Sequence, residues 1–244
     1  MTTTPKTKDP FALSYAALRR VVGYVAVALP FLVSVPVYFF CDRGHAGSIS
    51  GYYYYPTRNV FVGGLCAISA FMISNRGYDR RDEVAGIFSA ACALGVAFFP
   101  TSPEICATDL QRKISYIHLG FATALFLTLA YFCLSLFQKT GANGDKTAKK
   151  ELRNKIYSGC GLAILASLAA ILASHLFDPP AILGVFPWPL LFETTSLLAF
   201  GFAWLVKGEA LFRDENPSLL KRTKGSNRIF TLARRPATSP TEST

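Results

Sequence analysis

Charge is scarce in this chain. Asp, Glu, Lys and Arg make up 16% of its 244 residues, against about 25% in soluble domains. That deficit excludes an ordinary soluble enzyme and a disordered regulator. Six Cys with no CxxC and no Cys/His zinc-finger spacing exclude a zinc finger, a thioredoxin-like motif and a disulfide-stapled secreted domain. Histidine is limited to three residues, HExxH is missing, and no internal repeat is visible. Gly159-Cys160-Gly161 has no strand before it, so it is neither a phosphate loop nor a dinucleotide fingerprint.

What fills the space is apolar. Residues of that kind are 51% of the chain, with 20 Phe and 11 Tyr. They gather into six runs, Val21–Cys41, Asn59–Ser74, Val84–Pro100, Ile114–Phe137, Ile156–Phe177 and Pro189–Val206. A helix rises 1.5 Å per residue, so about 20 residues cross about 30 Å of hydrocarbon. The second and third runs are short for a crossing, though each is bounded by charged or turn-forming residues. Backbone groups must be satisfied internally in lipid, and these runs are too long and uniform for barrel strands. The expected fold is therefore all-α: a polytopic bundle of six transmembrane helices in one domain, residues 21–206. It follows a short segment, 1–20, and precedes a basic, largely disordered tail, 207–244.

The cations set an orientation. Of the 25 Lys and Arg, 21 fall before the first run, after the second, after the fourth and after the sixth; Arg43, Arg58, Arg112 and Lys113 are the exceptions. Lys/Arg-rich loops are cytoplasmic, which predicts both termini inside and an inner- or plasma-membrane location. The net charge of +10 then serves orientation and anionic lipid at the cytoplasmic face, and no nucleic-acid partner is expected. The first apolar run is too long for a cleaved signal and reads as an uncleaved helix bent at Pro30 and Pro36. Small residues in runs 2, 3 and 5 (Gly63, Gly64, Gly86, Gly95, Gly159, Gly161) predict a tightly packed interior there. Bulky Phe121, Leu125, Phe126, Leu129 and Phe132 turn part of run 4 to lipid, and the Tyr52–Tyr55 run, Tyr116 and Trp188 mark the outer boundary.

All three histidines, His45, His118 and His175, fall on the predicted outer side. His118 and Glu193 lie about 6–8 Å inside its boundary by helical rise, where an ionisable group calls for a named partner. If helices 4 and 6 are neighbours the two can meet. A non-catalytic reading makes His118, Glu193, Arg58 and His45 contacts for a lipid headgroup or small ligand, the Arg58 fork suiting a phosphate or carboxylate. The alternative is a metal-dependent lipid hydrolase with zinc on His118, Glu193 and His175. Transport is a third class, disfavoured because no repeat and no deep midplane charge is seen. Cys41 and Cys106, both at the outer side, are a candidate disulfide. The oligomeric state is left open.

Certain stretches carry a resemblance. Ser-Ile-Ser-Gly-Tyr-Tyr-Tyr-Tyr-Pro-Thr-Arg-Asn-Val-Phe-Val-Gly (48–63), Arg-Gly-Tyr-Asp (76–79), Phe-Phe-Pro-Thr (98–101), His118 with Phe121-Ala122, and Trp-Leu-Val-Lys-Gly-Glu (204–209) resemble uncharacterised bacterial multi-pass membrane proteins. The layout is similar to that of six-helix proteins grouped with eukaryotic GPI-anchor lipid-remodelling factors, which implies a role among lipids. It departs from the alkaline-ceramidase and progestin-receptor superfamily, whose seven helices carry a HxxxH zinc pair on the last; no His stands on the last run here.

Overall fold

The computed structural model describes residues 15–41, 44–74, 79–103, 105–139, 148–176 and 187–211. All of these belong to the first of two units, Met1–Phe212 and Arg213–Thr244. The basic tail expected after Val206 lies almost wholly outside the described residues.

Among the described residues the chain is helical, with no strand. The helices are α1 (Tyr15–Phe40), α2 (Arg58–Ser74), α3 (Arg80–Phe98), α4 (Asp109–Tyr131), α5 (Ala148–Leu176) and α6 (Trp188–Lys207). A 3₁₀ turn, Ser50–Tyr54, precedes α2, and α4 runs into a π turn, Phe132–Leu136. Helices α1, α4, α5 and α6 are long and apolar enough to cross a membrane, and they mark the chain as a membrane protein. Helix α2 is apolar but has 17 residues, about 25 Å of rise. Helix α3 has 19 residues and opens on Arg80, Arg81, Asp82 and Glu83.

The helices begin earlier than the apolar runs. Asp79 caps α3 by accepting from Asp82 N at 3.1 Å. Thr108 and Gln111 form a reciprocal capping box at the start of α4, satisfying backbone donors that would otherwise lack partners. Helix α5 takes in Lys149, Lys150, Arg153 and Lys155, so part of the basic loop is its polar first turns. Hydropathy marks what can sit in lipid, whereas caps decide where a helix starts. Helix α1 runs through Pro30 and Pro36 without interruption.

Each helix packs on its neighbour in sequence, and α6 packs on α1, closing a ring; α4 touches α6 only at its margin. Closest approach is made by glycine. A Cβ on Gly23 would stand 2.9 Å from Gly201 O, and one on Gly201 would stand 2.9 Å from Gly23 O. These backbones meet because neither residue has a side chain, the close packing that drives helix association in lipid. Gly64 sits against Leu29, Gly95 against the Phe121 ring and Gly161 against Leu134, whereas Gly63 and Gly159 face open space. The small-residue expectation thus holds at Gly64, Gly95 and Gly161 and at buried Gly86, fails at Gly63 and Gly159, and missed the α1–α6 seam.

Two further expectations are corrected. Leu125, Phe126, Leu129 and Phe132 are buried. The outward face of α4 is made instead by Tyr116, Ile117, Leu127 and Tyr131. Phe121 of α4 fills the hollow left by Gly95 of α3. Tyr52 is fully buried and packs in the core with Ala46 and Ile49, so its ring is not offered to headgroups. Tyr116 is 75% exposed.

Candidate functional site

Take first the end of the bundle where α6 starts. Pro189 stands in its first turn, and Pro has no N–H to leave unpaired there. Of the donors that remain, Leu190 N donates to Gly47 O at 3.0 Å, so the loop before the 3₁₀ turn lies on the helix start. One turn deeper, Glu193 Oε2 accepts from Ser50 N at 3.1 Å. That N–H opens the 3₁₀ turn and has no partner within it, so a carboxylate from another helix acts as its cap. Tyr54 Oη donates to Thr101 O at 2.7 Å, and buried Thr57 Oγ1 donates to Val33 O at 3.1 Å. The 3₁₀ turn is thereby tied to α1, α6 and the α3–α4 connection.

His118, buried on α4, donates from Nδ1 to Phe99 O at 2.7 Å. The carbonyl can only accept, so Nδ1 carries a proton. Phe99 closes α3 and stacks on Phe121, with ring centroids 5.7 Å apart. The histidine thus ties α4 to the end of α3, and its ring orientation is fixed by backbone.

His118 and Glu193 line one cavity of about 340 Å³. Ser48, Ser50, Thr101, Ser115 and Thr123 bring hydroxyls to it, and Leu119, Ala122, Phe126, Leu168, Ile171 and Leu172 supply apolar wall. Sequence reading named the two ionisable residues. It missed Thr101, Ser115 and Thr123, which are ordinary residues in composition and become notable only through packing. No direct bond joins His118 to Glu193: each has a backbone partner on a different segment.

The other expected contacts are placed elsewhere. Arg58 is exposed at the start of α2, its guanidinium carbon 4.0 Å above the Tyr53 ring and its Nη2 donating to Tyr53 Oη. His45 is exposed and stacks on Tyr38, centroids 5.2 Å apart. Neither lines the cavity. His175 falls on α5, with its side chain outside the described residues, and among the described residues no three His, Cys, Asp or Glu side chains gather as a metal set. The Cys41–Cys106 pairing is not made: both are free thiols, Cys41 half-buried and Cys106 exposed. They follow α1 and α3, which have α2 between them in the ring.

At the opposite end, Lys139 Nζ donates to Asp82 Oδ1 at 2.7 Å and to both Asp79 oxygens at 3.0 Å. The bond to Lys139 holds the Asp79 carboxyl below its ordinary range. Burial works against the Lys139 charge, but its bonds to Asp82 and Asp79 outweigh that and raise its pKa. Lys207 donates to Phe137 O at 2.9 Å and lies over the Phe137 and Tyr157 rings. Phe132, Phe137, Phe200 and Trp204 pack edge to face or tilted beside it. The sequence gives no local sign of either arrangement, since each joins residues from distant helices.

The chain matches no protein-family model, no curated protein and no solved structure.

Proposed function

We propose that the chain crosses an inner or plasma membrane six times, with both termini cytoplasmic, and that the cavity beside His118 and Glu193 receives the polar end of a lipid or another small amphiphile. Helices α2 and α3 also turn large apolar side chains outward, Val60 and Ile73 on one and Val84, Ile87, Phe88 and Phe98 on the other. A water-soluble monomer rarely exposes so much. The distribution of 21 of 25 cations among alternate connections supports the orientation.

One observation carries the ligand reading: a single cavity joins a carboxylate, an imidazole and several hydroxyls to an apolar wall. Mostly apolar pockets with a few convergent polar groups are the usual form of small-molecule sites. Its described lining contains no Lys or Arg, and Arg58 is held away on Tyr53. Acceptors therefore dominate, and an amine or hydroxyl suits them better than the phosphate that Arg58 suggested. The reading is of a binding protein without chemistry of its own.

Native mass spectrometry of wild type beside Thr123→Trp, which places an indole in the cavity, tests this. The wild type should carry an amphiphile that the folded variant has lost. Octylamine and octanol should raise the wild-type unfolding temperature, and octyl phosphate should not. An identical set of bound molecules in both proteins overturns the pocket reading. For topology, Gly144→Cys and Ile182→Cys in a Cys-free background should label from opposite sides with an impermeant maleimide; labelling from one side overturns the six crossings.

A further inference from the structure

A second concavity lies on the outside of the bundle, between α3 and α4, at the end remote from His118. Its volume is about 720 Å³. Val84, Ala85 and Phe88 of α3 form one wall, Leu127 and Tyr131 of α4 the other, and Arg80 and Arg81 stand at its end. Val84, Phe88 and Leu127 are each about half exposed. Thr128 adds a hydroxyl that is spent within α4 on Ala124 O at 2.7 Å, and Tyr131 adds its phenol. The long walls are thus mainly a surface for a hydrocarbon chain.

The two arginines differ from the other charges nearby. Asp79 and Asp82 are held by Lys139. Glu83, the remaining acid of this turn, does not line the groove. Among the described residues neither Arg80 nor Arg81 makes an ion pair. Two guanidinium forks at the mouth of an apolar groove match a phosphodiester with a chain beneath it, because the fork presents paired donors to paired phosphate oxygens. From Arg81 to Phe88 is about 10 Å along the helix, a depth that takes the upper part of one acyl chain while the headgroup stays at the arginines.

We infer that the α3–α4 groove is a binding site for a glycerophospholipid of net negative charge, its phosphate on Arg80 and Arg81 and one acyl chain between Val84, Phe88, Leu127 and Tyr131. The amphiphile cavity is at the other end of the bundle and shares no residue with it, so the two proposals stand or fall separately.

Thermal unfolding of the full chain in detergent, with added phosphatidylglycerol or phosphatidylcholine of matched chains, tests the site. Phosphatidylglycerol should raise the wild-type midpoint by several degrees more than phosphatidylcholine. Arg80→Gln/Arg81→Gln should abolish that difference, and Lys149→Gln/Lys150→Gln should leave it in place. Val84→Trp, at an exposed position and therefore compatible with folding, should shrink it by obstructing the groove. An unchanged preference in the double arginine variant overturns the proposal, as does equal stabilisation of the wild type by both lipids. Loss in the lysine variant alone assigns the effect to diffuse charge and equally overturns it. Full retention in Val84→Trp removes the acyl chain from the groove, and with it the site.

Discussion

Helix α6 carries one ionisable residue near each of its ends, and the fold treats the two in opposite ways. Glu193 and Lys207 stand about 21 Å apart along the axis. Around Glu193 the packing is open: a backbone N–H from the 3₁₀ turn, hydroxyls and an apolar wall, with a cavity left among them. Around Lys207 it is dense: the rings of Phe137 and Tyr157, with Trp204 against the first, and the carbonyl of Phe137, which follows directly on the π turn. A carbonyl at a helix C-terminus lacks an intrahelical donor and draws a cation, and ring faces do the same. One charge is absorbed by packing and helps close its end of the bundle. The other is kept beside open space. Carrying a charge into a bundle does not by itself make a site; what matters is whether rings or loops are brought up to it.

If that contrast is right, the two ends should answer differently to truncation. The largest loss is expected at the closed end, where Trp204 is fully buried. Trp204→Ala should lower stability by about 3–5 kcal/mol through lost burial and the cavity left behind. Trp204→Phe should be much milder, because among the described residues the indole N–H has no hydrogen-bond partner to forfeit. Reversible unfolding in mixed micelles measures both, and similar losses in the two variants would contradict this account of the ring's role. At the open end Glu193→Ala should cost about 1–3 kcal/mol by stranding the Ser50 N–H. Glu193→Gln, which keeps an acceptor, should cost less than half as much. Hydrogen exchange should show the loosening confined to Ser50–Tyr54; a bundle-wide increase would place Glu193 in the general core instead.

The smallest effect belongs to the exposed ion pair beyond the closed end. Bonding to Lys139 depresses the folded-state pKa of Asp79. The stability it adds is therefore present above the ordinary value near 3.8 and lost as pH falls through the depressed one. Lys139 runs the other way: its raised pKa gives stability that is present below the ordinary 10.5 and fades as pH climbs through the higher folded value. Asp79→Asn, which can still cap α3 and leaves buried Asp82 paired with Lys139, should flatten the acid limb of a stability-against-pH profile, soften the alkaline one and change the neutral region little, since exposed pairs contribute little. A variant profile that parallels wild type at both extremes would remove the pair from the ledger of either end.

The two ends also differ in how far they could be read from the sequence. Composition gave six helices, because apolar runs bounded by charge are a one-dimensional property of the chain. It also drew attention to His118 and Glu193, because ionisable residues inside such runs stand out, and the cavity does bring them together. Their actual partners, Phe99 O and Ser50 N, are backbone groups and leave no trace in residue identity. The aromatic closure of the other end was invisible for a similar reason. Phe132, Phe137, Tyr157 and Trp204 come from three helices, and each alone looks like any other apolar residue of a membrane span. Interior and lipid-facing sides of a span are both apolar, so hydropathy could not tell that Leu125 and Leu129 face inward while Leu127 faces out.

The contact between Gly23 and Gly201 has a consequence for how the protein is made. Helix α1 is the first of the six to leave the ribosome and α6 the last, yet they form one of the most intimate seams in the bundle. Until α6 is inserted, the flank of α1 around Gly23 has no protein partner and must be covered by lipid or by the insertion machinery. Assembly therefore cannot be completed stepwise during synthesis, and the final helix acts as the latch. A chain stalled before α6 would present an open arc of five helices, recognisable to quality control as unfinished. A bulky residue at Gly201 should produce the same arc from a full-length chain.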